Sequence, residues 1–149
     1  MAAAVRVAFA ATAATLYFAC AAASDSPATL VVHGGLALAR EELTAKTEVA
    51  CRATLQEALR AGHKVLRDGG ASLDAVMAAI VVLEDSPLFN AGRGSALTSA
   101  GTVEMDASLM DGAKPAAGAV ACVRGVRNPI RLARLVMDRT PHVLLVGPA

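Results

Sequence analysis

The residues best suited to chemistry lie in one glycine-punctuated stretch, Leu83-Glu84-Asp85-Ser86-Pro87-Leu88-Phe89-Asn90-Ala91-Gly92-Arg93-Gly94. Pro87, Gly92 and Gly94 break any helical or strand period there, so the stretch reads as a loop. A loop of this kind turns backbone carbonyls inward, and carbonyl oxygens bind hard cations without redox chemistry. An ordinary surface connection has the same composition. Phosphate cradling does not fit, because no Gly-Lys-Ser/Thr ending follows and Arg93 lies inside the loop.

A second stretch, Gly101 to Gly112, places Glu104 and Asp106 two residues apart and so on one face of a strand. Two carboxylates so spaced can carry protons or hold a metal, and they also decorate any solvated strand face. His33 ends an apolar run beside Gly34 and Gly35, where backbone can come close to a ligand. His63 reads as a surface residue near a helix end, and His142 as a structural residue before a strand. The sequence has no H-E-x-x-H, no G-x-S-x-G and no His-Cys cluster, which sets aside zinc-hydrolase and serine-hydrolase readings.

The elements that must position these residues follow from periodicity. Leu30-Val31-Val32 predicts a buried strand, and the apolar spacing from Glu41 to about Arg67 predicts a helix closed by Gly69-Gly70. Ser72 is a candidate cap for a second helix whose run Leu73 to Leu83 is apolar nearly all round. Ala96 to Met105 predicts a hairpin, and Gly118 to Val123 another strand. Asn128-Pro129 predicts a helix start, with a capping side chain and then proline at the first helical position. That helix runs to about Arg139, and Val143 to Val146 predicts a last buried strand. Alternating strands and helices give a layered α/β or α+β class. A buried strand so near Ala149 reads as one whose sheet neighbours lie in a further segment.

The chain of 149 residues suffices for one domain with a core. It is 55% hydrophobic but only 3% aromatic, and its net charge is +1. The charge indicates no nucleic-acid partner. From Lys114 onward six basic residues face only Asp138, but no aromatic stacking side chains accompany them. Residues 1–23 read as a secretory signal: Arg6, an apolar run from Val7 to Ala23, and Ala21 and Ala23 before Ser24. The run is short and alanine-rich for a stable membrane span. A secreted or periplasmic location is therefore expected, with residues 24–149 as the folded portion. Cys20 would leave with the signal; Cys51 and Cys122 read as buried free thiols, with pairing as the alternative.

Taken together, Val32-His33-Gly34-Gly35, Gly69 to Val76, Leu83 to Gly94, Gly101 to Gly112, Ala117 to Ala121, Asn128-Pro129-Ile130 and Pro141 to Gly147 resemble plant-type L-asparaginases/isoaspartyl peptidases, in the same order. The resemblance runs from Leu30 to Gly147. It implies an N-terminal nucleophile hydrolase, of which this chain is the N-terminal (α-subunit) portion of an αββα four-layer sandwich. Such a precursor cleaves itself to expose a threonine, whose hydroxyl attacks the side-chain amide of asparagine or the isopeptide bond of a β-aspartyl dipeptide. The threonine's own amino group is the base.

The family's Gly-Thr-Val-Gly-type motif is absent from these residues. Gly101-Thr102-Val103 continues into Glu104, and Gly118-Ala119-Val120-Ala121 has no threonine. The resemblance thus implies a nucleophile beyond residue 149, no turnover by this chain alone, and a C-terminal half as partner in an oligomeric enzyme. It implies no organic cofactor but a structural sodium ion, held by the carbonyls of Leu83, Glu84, Ser86, Phe89, Ala91 and Arg93. Asn90 would point toward the nucleophile, and His33, Gly34 and Gly35 would lie by the scissile bond. The family usually carries another glycine two residues after His-Gly-Gly, where this chain has Leu36-Ala37. Glycosylasparaginase shares the fold and mechanism and is the nearest alternative; a non-catalytic interaction subunit is the alternative from another class.

Overall fold

Local signals decide where the helices begin and end. The computed structural model describes residues 28–35 and 43–147, so the signal reading of residues 1–23 and the Leu36-Ala37 departure lie outside the described residues. Helix α1 spans Ala45–Arg67 behind Thr44, whose hydroxyl accepts the Thr47 amide at 3.1 Å. It ends as predicted. Gly69 adopts φ +80°, Gly70 N donates to Val65 O at 2.8 Å, and Gly69 N donates to Leu66 O at 3.1 Å.

Helix α2 spans Ser72–Asp85. Its N-cap is Ala71 with no side-chain bond, so Ser72 is the first helical residue and not the cap. Small residues let α1 and α2 pack closely. A Cβ at Gly62 would meet the Ala75 carbonyl at 2.7 Å, and Ala58 and Ala79 are buried in one cluster with Leu83 and Phe89.

Among the described residues three strands make one sheet in the order β1-β2-β3: β1 Met105–Asp111, β2 Ala116–Val123 and β3 Leu144–Val146. β1 and β2 are antiparallel, and β2 and β3 are parallel through helix α3, Pro129–Arg139. α3 lies on one face of the sheet because β2 offers it Gly118, where a Cβ would strike the Ala133 carbonyl and the Met137 backbone. Met105, Val120, Val123, Ala133 and Val136 form the core between them. The register carries one extra residue on β2, since Met105 faces Val123 but Ala107 faces Val120. Cys122 takes φ +56° in that bulge.

Three expectations are corrected. Leu30–Val32 pairs with no strand among the described residues; its apolar side chains are taken up by the helices, Leu30 over Gly62 and Val32 against the α1–α2 cluster, while Val31 is 83% exposed. The Ala96–Met105 hairpin reduces to a single Leu97–Val103 bridge with Thr98 N donating to Thr102 O at 2.8 Å. Val143–Val146 is exposed at every position, because among the described residues β3 pairs only with β2 and α3 covers chiefly β1 and β2. The class is α+β. No helix among the described residues is long and apolar enough to cross a membrane.

Candidate functional site

The loop that follows α2 folds back on the helix that launches it. Ser86 N donates to Leu83 O at 3.2 Å, Ala91 N to Phe89 O at 2.8 Å, and Gly94 N to Ala91 O at 3.0 Å, across a single 3-10 turn at Gly92–Gly94. Gly92 has φ +53°, and a Cβ there would run into the Glu84 carbonyl. A Cβ at Gly94 would strike the Phe89 carbonyl and come within 3.0 Å of Pro87 O. The carbonyls of Glu84, Pro87 and Phe89 therefore pack against Gly92 and Gly94 within the loop, at places only glycine leaves open. Leu83, Phe89 and Ala91 each spend one carbonyl lone pair on an amide and keep another. This cradle suits a hard cation, and Leu83 and Glu84 lie at a helix C-terminus, where carbonyls are partially negative. Ser86 contributes its hydroxyl to the turn, accepting Leu88 N at 3.2 Å, and Arg93 is exposed. Among the described residues no three His, Cys, Asp or Glu side chains cluster for a metal, so a cation in the loop would rely on backbone oxygens.

Two of the segments picked from sequence meet. Phe89 is buried, and a Cβ at Gly34 would come 2.8 Å from its ring, so the His33-Gly34-Gly35 segment rests directly on the loop. Gly35 has φ +74° and donates its amide to His33 Nδ1 at 3.1 Å, a local turn that leaves His33 exposed. His33 and Leu83 line a groove of about 230 Å³ with Leu30, Val76, Ala79 and Ile80. Asn90 is exposed, and its Oδ1 accepts Ala96 N at 2.9 Å, which braces the loop against the chain that leaves it. A larger cavity, about 440 Å³, lies between the loop residues Asp85, Gly92 and Arg93 and the β2–α3 connection at Gly125–Arg127.

Glu104 and Asp106 do not form a catalytic pair. Glu104 is bound by Arg124, whose Nε lies 3.1 Å from Oε1, and Asp106 Oδ1 accepts Cys122 N at 2.8 Å, holding the bulge. Both carboxylates serve the sheet. Cys51 is half-buried and Cys122 exposed, both as free thiols, so the expected burial fails for Cys122.

Glu84 offers more than its carbonyl. The Glu84 side chain is 3% exposed, its Oε1 accepts Ile130 N at 3.0 Å, and its Oε2 is buried with no partner among the described residues. Burial pushes the Glu84 carboxyl above the usual range, against the lowering pull of the Ile130 amide and, after it, of the neighbouring Asn128 side chain. Asp85 beside it accepts Arg127 Nε at 2.9 Å and Nη2 at 3.1 Å, and Asn128 Nδ2 at 3.2 Å. Arg127 and then Asn128 hold the Asp85 carboxyl below the usual range. Asn128 thus occupies the N-cap position of α3 without capping it by side chain, because its amide is drawn to Asp85 and the free helix amide goes to Glu84. Pro129 at the first helical position is as expected.

The asparaginase family profile matches residues 26–149. The chain is 47% identical over 126 residues to the isoaspartyl peptidase/L-asparaginase of Mus musculus, covering 85% of this chain and 38% of that protein. It is 55% identical over 119 residues to the plant-type L-asparaginase of Pyrococcus abyssi, 79% of this chain and 37% of that protein. The Homo sapiens isoaspartyl peptidase/L-asparaginase is 48% identical over 116 residues, 78% and 37% respectively. The chain thus spans less than two-fifths of the length of these relatives. Matched along nearly all of its described length, it belongs to the asparaginase family, among relatives named isoaspartyl peptidase and plant-type L-asparaginase.

Proposed function

We propose that this chain forms the N-terminal, α-subunit portion of an enzyme that hydrolyses L-asparagine to L-aspartate and ammonia and cleaves β-aspartyl dipeptides. The observation that carries the reading is the seating of Gly34 on Phe89, which joins the His-Gly-Gly segment to the carbonyl-lined loop in a chain of this family. In this reading the sheet with α3 on one face is half of an αββα sandwich, and its open face receives the other sheet. The nucleophile is a threonine supplied by sequence beyond these residues, exposed by self-cleavage. Its hydroxyl adds to the substrate's side-chain carbonyl while its amino group takes the proton; ammonia or the amino acid departs, and water releases aspartate from the ester. An amino group titrating near neutrality serves as base without a histidine.

The described residues would act in support. The carbonyls of Leu83, Glu84, Ser86, Phe89, Ala91 and Arg93 would hold sodium, which supplies structural charge and takes no part in bond making. Asn90, fixed through Ala96, would be aimed toward the nucleophile by the loop. His33, Gly34 and Gly35 would lie along the bond cut during maturation.

The test is a substrate comparison on the full-length protein: L-asparagine, a β-aspartyl dipeptide and a glycosylasparagine, with aspartate release measured. Turnover of the first two is expected. Turnover of the glycosylasparagine alone would move the assignment to a glycosylasparaginase, and turnover of none would support a non-catalytic subunit.

A further inference from the structure

We propose that the Glu84 side chain is a positioning residue for the cation-holding loop, setting its aperture from helix α3. The inference rests on the reading of that loop as a cation site. Glu84 stands where three elements meet. Its carboxylate accepts the Ile130 amide in the first turn of α3, its Cβ lies 2.7 Å from where a Cβ at Gly92 would sit, and its own carbonyl packs against Gly92. A helix-start amide has no partner inside its helix, so the Glu84–Ile130 bond costs α3 nothing and removes an orphan donor. It also fixes the last turn of α2 in rotation about its axis, and with it the direction in which the Leu83 and Glu84 carbonyls leave the helix. Asp85, clamped by Arg127 and Asn128, holds the same turn from the exposed side.

Burial at 3% exposure with Oε2 unpartnered is costly for a carboxylate unless the position is needed for something besides packing. An apolar side chain would fill the same space without that cost, but it would leave the Ile130 amide unsatisfied and the helix end free to turn. A ring of carbonyls discriminates cations by its spacing. A small rotation of α2's last turn therefore changes cation affinity more than it changes global stability.

The test reads sodium binding by itself. The full-length protein is melted in sodium chloride replaced stepwise by choline chloride at constant ionic strength, and the sodium concentration equal to the dissociation constant is fitted from the gain in stability, which follows RT ln(1 + c/Kd) at sodium concentration c. Glu84→Ala should raise that concentration at least fivefold. Glu84→Gln, whose carbonyl oxygen can still accept Ile130 N–H, should stay within twofold of the parent. Val136→Ala, in the core beneath α3, should lower the melting temperature yet leave the fitted dissociation constant unchanged. Glu84→Asp keeps the charge but falls a methylene short of Ile130. If Glu84→Ala does not fold, Glu84→Asp carries the test, with a severalfold rise expected. An unchanged affinity in Glu84→Ala or Glu84→Asp, or an equal loss in Val136→Ala, overturns the positioning role while leaving the loop reading standing. A parent protein that melts identically in sodium and choline overturns both.

Discussion

Single residues divide here by what their neighbours leave them. Gly92 and Gly112 are both glycines in connections, but Gly92 is buried and a Cβ there would collide with the Glu84 carbonyl at φ +53°, whereas Gly112 is exposed and nothing lies within 4 Å of a Cβ there. Gly92→Ala should therefore destabilise the protein by about 2 kcal/mol or more, from steric overpacking and left-handed strain together. Gly112→Ala should stay within about 0.5 kcal/mol. Chemical denaturation of the two variants checks this, and equal midpoints would contradict the packing of the loop on α2. The loop itself was legible in the sequence because proline and glycine act locally. Glu84's partner was not, since Ile130 lies 46 positions away and only the fold brings it near. One local warning existed: an acid in the last turn of an apolar helix opposes the helix dipole, and such a residue needs a reason.

Elements show the same split between local and distant causes. The end of α1 could be read from Gly69-Gly70, and the start of α3 from Pro129, because each is decided within a few residues. Whether Val143–Val146 is buried depends on what covers it, which no local pattern encodes. The Leu30–Val32 run pairs with no strand among the described residues for the same reason: it has the alternation of an extended chain, but helices and not a ladder take up its side chains. At the C-terminal end of α1, Asp68 accepts Lys64 Nζ at 2.7 Å and Arg67 Nε at 3.2 Å. Those bonds, Lys64 first, hold the Asp68 carboxyl below its ordinary value of 3.8. A depressed acid contributes stability above its unfolded pKa and loses it as pH falls through the folded value. A carboxyl-carbon titration by NMR should place the Asp68 midpoint below 3.8, and Lys64→Met should bring it back toward that value. A midpoint at or above 3.8 in the parent would mean that the lysine bond does not form in solution.

At the scale of the whole molecule, the order of seven short motifs made the family legible where no single motif sufficed, and the match over residues 26–149 agrees with it. The four-layer sandwich was an expectation from that resemblance alone; the described residues show one three-stranded sheet, and the chain spans only 37–38% of its relatives' length. Val143, Leu144, Leu145 and Val146 are 42–66% exposed along one sheet edge, and an apolar edge of this kind favours association. The 149 residues alone should therefore be poorly soluble, and co-expression with the remainder of the protein should rescue them. Export is a separate expectation: N-terminal sequencing of the secreted product should begin at or beside Ser24, and an intact Met1 would exclude a cleaved signal. In the proposed reading the chemistry requires a threonine nucleophile outside these 149 residues. The most direct test of that requirement is ammonia release from L-asparagine by the purified 149-residue chain and by the full-length protein, side by side. Turnover is predicted for the full-length protein only, lost when its newly exposed threonine is changed to alanine. Turnover that follows the 149-residue chain through purification and disappears in Thr102→Ala would contradict it.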